Sequence, residues 1–133
     1  MDRISTKTSA LKPTNTEFLD LARVNRLVDM LRRGREIFPI TLVLDEHQRG
    51  YIISGRHEAY AACHENSEVE ANVLKTDLDV NSCRLGRAIN FSTLAELVKD
   101  CERANEDCMK NGVEMVADYL VVQPFYEQVS VRR

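Results

Sequence analysis

The chain has 133 residues, of which 44% are hydrophobic and 29% charged, enough for one buried core and too few for that core plus separate DNA-reading and dimerisation modules. Eighteen basic against 21 acidic side chains leave a net charge of −3, which excludes a chain-wide electrostatic footprint for nucleic acid and leaves only local contacts. No apolar run approaches the roughly 20 residues that cross a bilayer, and the polar start Met1-Asp2-Arg3-Ile4-Ser5-Thr6-Lys7 is not a secretory signal, so no membrane association and a cytoplasmic location are expected.

Residues 1–17 are rich in Ser, Thr and Lys and contain Pro13, which predicts a frayed start and a short extended segment near Ser9-Ala10-Leu11-Lys12. From Leu19 onward Val24, Leu27, Val28 and Leu31 recur at helical spacing, and Gly34 supplies a left-handed stop. Arg32, Arg33 and Arg35 around that stop complement the helix dipole; their alternative use is a local nucleic-acid contact. Residues 39–44 and 51–53 are β-branched and aliphatic runs joined by the polar stretch 45–50, the pattern of a β-hairpin. Gly55 breaks the second strand, and the alanine-rich stretch 58–63 predicts a helix packed closely on a sheet, ended by Asn66-Ser67. Residues 69–73 alternate apolar and polar side chains as a half-exposed strand does, with Leu74 continuing the run.

A short helix is expected over 80–89, weakened by Gly86, and a stronger one opens at Thr93 with Glu96 completing a capping box. Leu94, Leu97, Val98, Cys101 and Cys108 form its buried stripe, with Glu102, Arg103, Glu106 and Asp107 toward water. Gly112 separates that helix from 113–133, where Met115, Val116, Leu120, Val121, Val122, Phe125 and Val129 are interrupted by Pro124. The periodicity there fits helix and strand equally, and the segment either covers the core or meets a partner. The four cysteines, Cys63, Cys83, Cys101 and Cys108, include no Cys-x-x-Cys pair, which argues for reduced thiols and against a zinc site or a disulfide framework.

The chemistry-bearing pattern is Ser54-Gly55-Arg56-His57-Glu58. A strand that ends in glycine and leads straight into a helix exposes amides without intrahelical partners, and the peptide dipoles add partial positive charge, so the turn is suited to phosphate. Arg56 adds a guanidinium able to pair with phosphate or carboxylate, His57 a side chain that titrates near neutral pH, and Ser54 a hydroxyl. Glu58 reads as a first-turn acid stabilising its own helix, or as a general-base or metal-binding carboxylate beside His57. His47 and His64 read as surface side chains without metal-ligand spacing to His57, and Asp77 and Asp79 as acids of a solvated loop.

The order helix, strand, hairpin strand, Gly55-Arg56-His57-Glu58, alanine-rich helix and strand over residues 9–76 resembles the ParB/sulfiredoxin-like family. The most specific part is Gly55-x-His57 before the small-residue helix, similar to the Gly-Cys-His-Arg turn of sulfiredoxins and the Gly-Glu-Arg-Arg box of ParB proteins. The resemblance implies an α+β fold, a small mixed sheet with helices around it, in one domain over 1–133 with a helical extension over about 80–133. It implies that the turn holds the phosphates of ATP or CTP, with Mg2+, and that stand-alone members act as nucleases or ATPases; a plasmid or phage setting is implied as well. Arg56 stands where sulfiredoxins carry the catalytic cysteine, so sulfinic acid reduction is not expected, and Cys63 lies about two helical turns away. Glu58 replaces the second basic residue of the turn and Tyr60 an arginine of the ParB box. Of the ParB Glu-Asn-x-x-Arg motif only Asn90 remains, with Ile89 and Thr93 at the flanking positions, which argues against clamp-forming CTP hydrolysis.

Three functions follow in order of expectation. The first is a ParB-like accessory or regulatory domain that binds a nucleotide or a nucleic-acid phosphate through Ser54, Gly55, Arg56, His57 and Asn90. The second is a small nuclease or NTPase with His57 and Glu58 as catalytic groups. The third is a protein-interaction module with a degraded pocket, in which the apolar segment 113–131 meets another protein or a second copy of the chain.

Overall fold

The chain opens with a strand where a frayed start was expected. The computed structural model describes residues 1–126, and in it β1 (Asp2–Thr6) pairs antiparallel with β4 (Val69–Leu74), setting Ile4 opposite Ala71. The residues of β1 are almost all exposed, so this edge strand lacks the apolar alternation by which a strand announces itself, and its backbone ladder to β4 holds it. The sheet therefore begins at residue 2 rather than 9. The extended segment expected near Lys12 exists as one parallel bridge to the hairpin: the Lys12 amide donates to the Gly50 carbonyl at 2.8 Å, and the Ile52 amide donates to the Lys12 carbonyl at 2.9 Å.

The runs ITLVL and GYIIS form the antiparallel hairpin β2 (Ile40–Leu44) and β3 (Gly50–Ser54). Its loop is organised by Asp45, whose carboxylate accepts the amides of His47 and Arg49, each at 2.9 Å, and the Arg49 Nε–H at 2.7 Å. Burial pushes that carboxyl upward, but the bonds from Arg49 and His47 outweigh it and hold it below the ordinary carboxylate range. β2 lies parallel to β4 through the helical crossover α2 (Arg56–His64), giving an open mixed sheet in the order β1-β4-β2-β3.

Both faces of the two central strands are covered, which is why their sequence runs apolar without interruption. Ile40, Leu42, Ile52 and Ala71 pack with α1 (Leu21–Arg32) and α2 on one face. Val43, Tyr51, Ile53 and Leu74 point to the other, where α4 (Leu94–Lys110) contributes Leu97 and Cys101. Full burial of Val24, Leu27 and Val28 on α1 contributes roughly 1.5–3 kcal/mol each. At 17 residues α4 is long enough to reach beyond the second core, so Cys101 and Cys108, which share its inner face, belong to different clusters. All four cysteines are free; burial pushes Cys101 up to about 12 and raises Cys63 and Cys108 as well, which suppresses thiolate chemistry.

The expected helix over 80–89 is two elements: α3 (Asp77–Ser82), opened by a Thr76–Asp79 capping box, and a 3₁₀ turn over Gly86–Asn90. The division falls at Gly86, whose backbone lies in the left-handed region at φ +50° and so close to β3 that a Cβ would sit 2.1 Å from the Ile53 carbonyl oxygen. At the start of α4 the Thr93 hydroxyl accepts the Glu96 amide at 3.3 Å and donates to the Glu96 carboxylate at 2.9 Å. Asp77 and Asp79 lie in the first turn of α3 rather than in a loop: Asp77, exposed, accepts the Leu94 amide at 2.7 Å, and Asp79 accepts the Lys75 amide at 2.8 Å.

The apolar tail resolves as a 3₁₀ turn over Val116–Asp118 followed by α5 (Tyr119–Val122). Val113, Val116 and Tyr119 are buried in the first core, and Leu120, Val121, Val122 and Tyr126 are exposed. The rest of the expected partner segment, from residue 127, lies outside the described residues. No helix among the described residues is long and apolar enough to cross a membrane.

Two glycines test this layout. Gly86→Ala meets both a left-handed φ and the Ile53 carbonyl and is expected to cost roughly 2 kcal/mol or more. Gly34→Ala meets only the unfavourable φ of +69°, with nothing within 4 Å, and is expected to cost about 1 kcal/mol. Urea denaturation of the two variants measures the difference, and equal losses would contradict the close approach at Gly86.

Candidate functional site

Gly55 is the N-cap residue of α2, at φ +98° and ψ 30°. A Cβ there would lie 2.7 Å from Ile40 Cγ2, so the position excludes side chains both by conformation and by contact with β2. With no side-chain cap, the first amides of this nine-residue helix have no partner within it.

The three side chains that follow turn toward the segment entering α1. Arg56 donates from Nη1 to the Glu17 carbonyl and from Nη2 to the Phe18 carbonyl at 3.5 Å, and its side chain is 15% exposed. His57 Nε2 accepts the amide of Asp20 at 3.0 Å, which places the proton of the neutral ring on Nδ1. Asp20 is the N-cap of α1, taking the Ala22 amide at 3.0 Å. Burial, and after it the guanidiniums of Arg56 and Arg23, lower the His57 pKa below the ordinary imidazole value, against a smaller upward pull from Glu58 and Asp20. Glu58 Oε1 accepts from Arg23 Nη2 at 3.0 Å. The Glu58 side chain is only 4% exposed, whereas that of Arg23 is 50% exposed.

This turn forms one wall of a cavity of about 530 Å³. Residues 54–58 line it together with Thr14 and Asn15 from the segment after β1, Arg23 from α1, and Phe38 and Pro39 ahead of β2. Its floor is set by sheet register, which places Thr41 opposite Ser54 on β3 and beside Asn72 on β4. The volume falls within the range of small-molecule sites, and most of the residues lining it are polar or charged.

No family model, curated protein or solved structure matches the chain. The site is therefore read from its own residues. Ser54, Gly55, Arg56, His57 and Glu58 all line the cavity. Asn90 does not join them: it is exposed at the end of the 3₁₀ turn, and the cavity wall does not include it. His47 is exposed in the hairpin loop as read. His64 departs from the surface reading, being half-buried with Nδ1 2.8 Å from Glu65 Oε2 and its ring edge-on to Phe125. Cys63 is half-buried against the first core.

Arg23, Thr14, Thr41, Asn72 and Phe38 escaped sequence reading. Arg23 occupies the polar side of an amphipathic helix, where arginine is ordinary, and its role appears only once α1 and α2 are packed. Thr41 and Asn72 lie thirty-one positions apart in sequence and meet only through a parallel register.

The lowered His57 pKa fixes the sign of a pH effect. Because the unfolded state binds the proton more readily, the contribution is fully present above the unfolded imidazole value of 6.5 and is lost as pH falls toward the lower folded value. Protonation also removes the acceptor for the Asp20 amide. Urea stability measured at about pH 7 and about pH 5.5 is expected to fall, and His57→Gln, which keeps an acceptor without titrating, is expected to flatten the slope. An unchanged slope in that variant would contradict the assignment.

Proposed function

We propose that the chain is a nucleotide-binding domain of the ParB/sulfiredoxin-like type, acting as an accessory or regulatory module, with the ligand's phosphate at the start of α2. The observation that carries this reading is the uncapped N-terminus behind Gly55, bordering a cavity that Arg23 and Arg56 also line. A guanidinium carries five N–H donors; Arg56 uses some of them on the Glu17 and Phe18 carbonyls and the Tyr119 side chain, with the Glu17 carboxylate 4.0 Å from Nη2, and the remainder are left for an anion. His57, whose pKa is lowered by burial and the neighbouring guanidiniums, adds an Nδ1–H donor. ATP or CTP with Mg2+ is the ligand class, and a nucleic-acid phosphate is the alternative source of the same anion.

The hydrolytic reading is weaker because its two catalytic candidates are already engaged with α1: His57 Nε2 with the Asp20 amide and Glu58 Oε1 with Arg23. A binding role needs only the amides and a cation. Thermal shift against ATP, CTP and short DNA, with and without magnesium, tests the proposal. A ligand present at about 100 times its Kd stabilises by about 2.7 kcal/mol, which raises Tm by several degrees in a chain of this size. Arg56→Ala is expected to lower Tm by a few degrees, through the lost loop bonds, and to abolish the ligand shift, with Arg56→Lys retaining part of it. No shift with any of these ligands, or an equal shift in Arg56→Ala, would contradict the reading.

A further inference from the structure

Glu58 holds the one buried side-chain polar atom that lacks a hydrogen-bond partner among the described residues, its Oε2. Such an atom is costly to keep, and here it belongs to a residue only 3% exposed at the third position of α2. A phosphate oxygen is not a partner for it, being another acceptor. A divalent cation needs several oxygen ligands, and no cluster of three or more His, Cys, Asp or Glu side chains able to hold one occurs among the described residues. The missing group is a hydrogen-bond donor.

The neighbourhood indicates what carries that donor. A second hollow of about 520 Å³ adjoins the first, and the two share Arg23, Phe38, Pro39 and Glu58. Leu27, Met30 and Ile37 add apolar surface there, and Arg26 and Glu36 also line it. Phe38 is 82% exposed and presents an aromatic face of the kind on which bases stack. Glu58 thus stands between a polar hollow at a helix N-terminus and an apolar hollow with an aromatic wall.

We propose that Glu58 selects the ligand: its Oε2 accepts a hydrogen bond from the nucleoside half of a nucleotide, whose base occupies the apolar hollow beside Phe38. This rests on the phosphate reading of the α2 turn and adds the chemistry that separates a nucleotide from a bare phosphate. In this proposal half-exposed Arg23 shifts toward the phosphate and so opens Oε2 to the donor. The donor is a ribose hydroxyl or an exocyclic amine of the base.

Isothermal titration of the full chain distinguishes these. The ligands are ATP and CTP, their 2′,3′-dideoxy forms, their counterparts lacking the exocyclic amine, and inorganic tripolyphosphate. ATP or CTP is expected to bind at least about tenfold more tightly than tripolyphosphate, and one class of donor-deficient analogue is expected to lose that advantage. Loss with the dideoxy forms assigns the donor to the ribose; loss with the amine-free forms assigns it to the base. Glu58→Gln, which keeps an acceptor for Arg23 and turns the orphaned oxygen into a donor, is expected to erase the discrimination while leaving tripolyphosphate binding in place. If that variant does not fold, the analogue series on the unaltered chain decides. Equal affinity for tripolyphosphate, nucleotides and all analogues would overturn the role of Glu58 and leave the phosphate site standing. Absence of binding by every ligand, tripolyphosphate included, would overturn both.

Discussion

Three consecutive side chains at the start of α2 reach across to the segment that enters α1, and the mouth of the cavity depends on that stitching. Arg56 takes the carbonyls of Glu17 and Phe18, His57 takes the amide of Asp20, and Glu58 takes the guanidinium of Arg23. The remaining residue of the segment is held from the far end of the chain: the Gln123 amide donates to the Leu19 carbonyl at 2.7 Å and accepts the Leu19 amide at 2.8 Å. Tyr60, on α2 itself, donates to the Gln123 carbonyl at 2.8 Å. The segment is therefore fixed by side chains where no secondary structure supplies partners.

The same arrangement sets the electrostatics of the cavity. Its lining contains two guanidiniums, Arg23 and Arg56, and one carboxylate, Glu58, with the imidazole of His57 kept neutral near neutral pH. One positive charge remains from these groups, partly offset by the Glu17 carboxylate 4.0 Å from Arg56 Nη2 and reinforced by the partial charge of an uncapped helix end. The overall acidity of the chain is thus compatible with the anion site proposed at this turn, because the relevant charge is local. The opposite wall is tied down independently. Arg87 joins Asp100 on α4 and donates to the Thr14 carbonyl at 2.7 Å, and the Thr14 hydroxyl donates to the Ile52 carbonyl at 2.7 Å.

The hairpin, the left-handed stop at Gly34, the strand break at Gly55, α1, α2 and α4 were legible in the sequence because each is set by local periodicity or by a glycine where the chain turns. The edge strand β1 was not, since its pairing is backbone-to-backbone and its side chains are almost all exposed. The break at Gly86 was half legible: the glycine weakened the helix signal, but only the Ile53 carbonyl shows why no other residue fits. Within the site the contiguous residues 54–58 were legible as one motif. What Arg56, His57 and Glu58 do with their side chains was not, because their partners lie thirty-five or more positions earlier. Asn90 was placed at the site by a motif whose flanking positions had already changed, and the fold leaves it outside.

The most direct test of an anion site at the start of α2 is a backbone amide NMR titration of the full chain with ATP and with CTP in the presence of magnesium. The largest shifts are predicted for the amides of Gly55, Arg56, His57 and Glu58, with smaller ones at Asp20, Thr41 and Asn72. Shifts confined to α4 or to the exposed residues of α5, with the α2 amides unmoved, would contradict it.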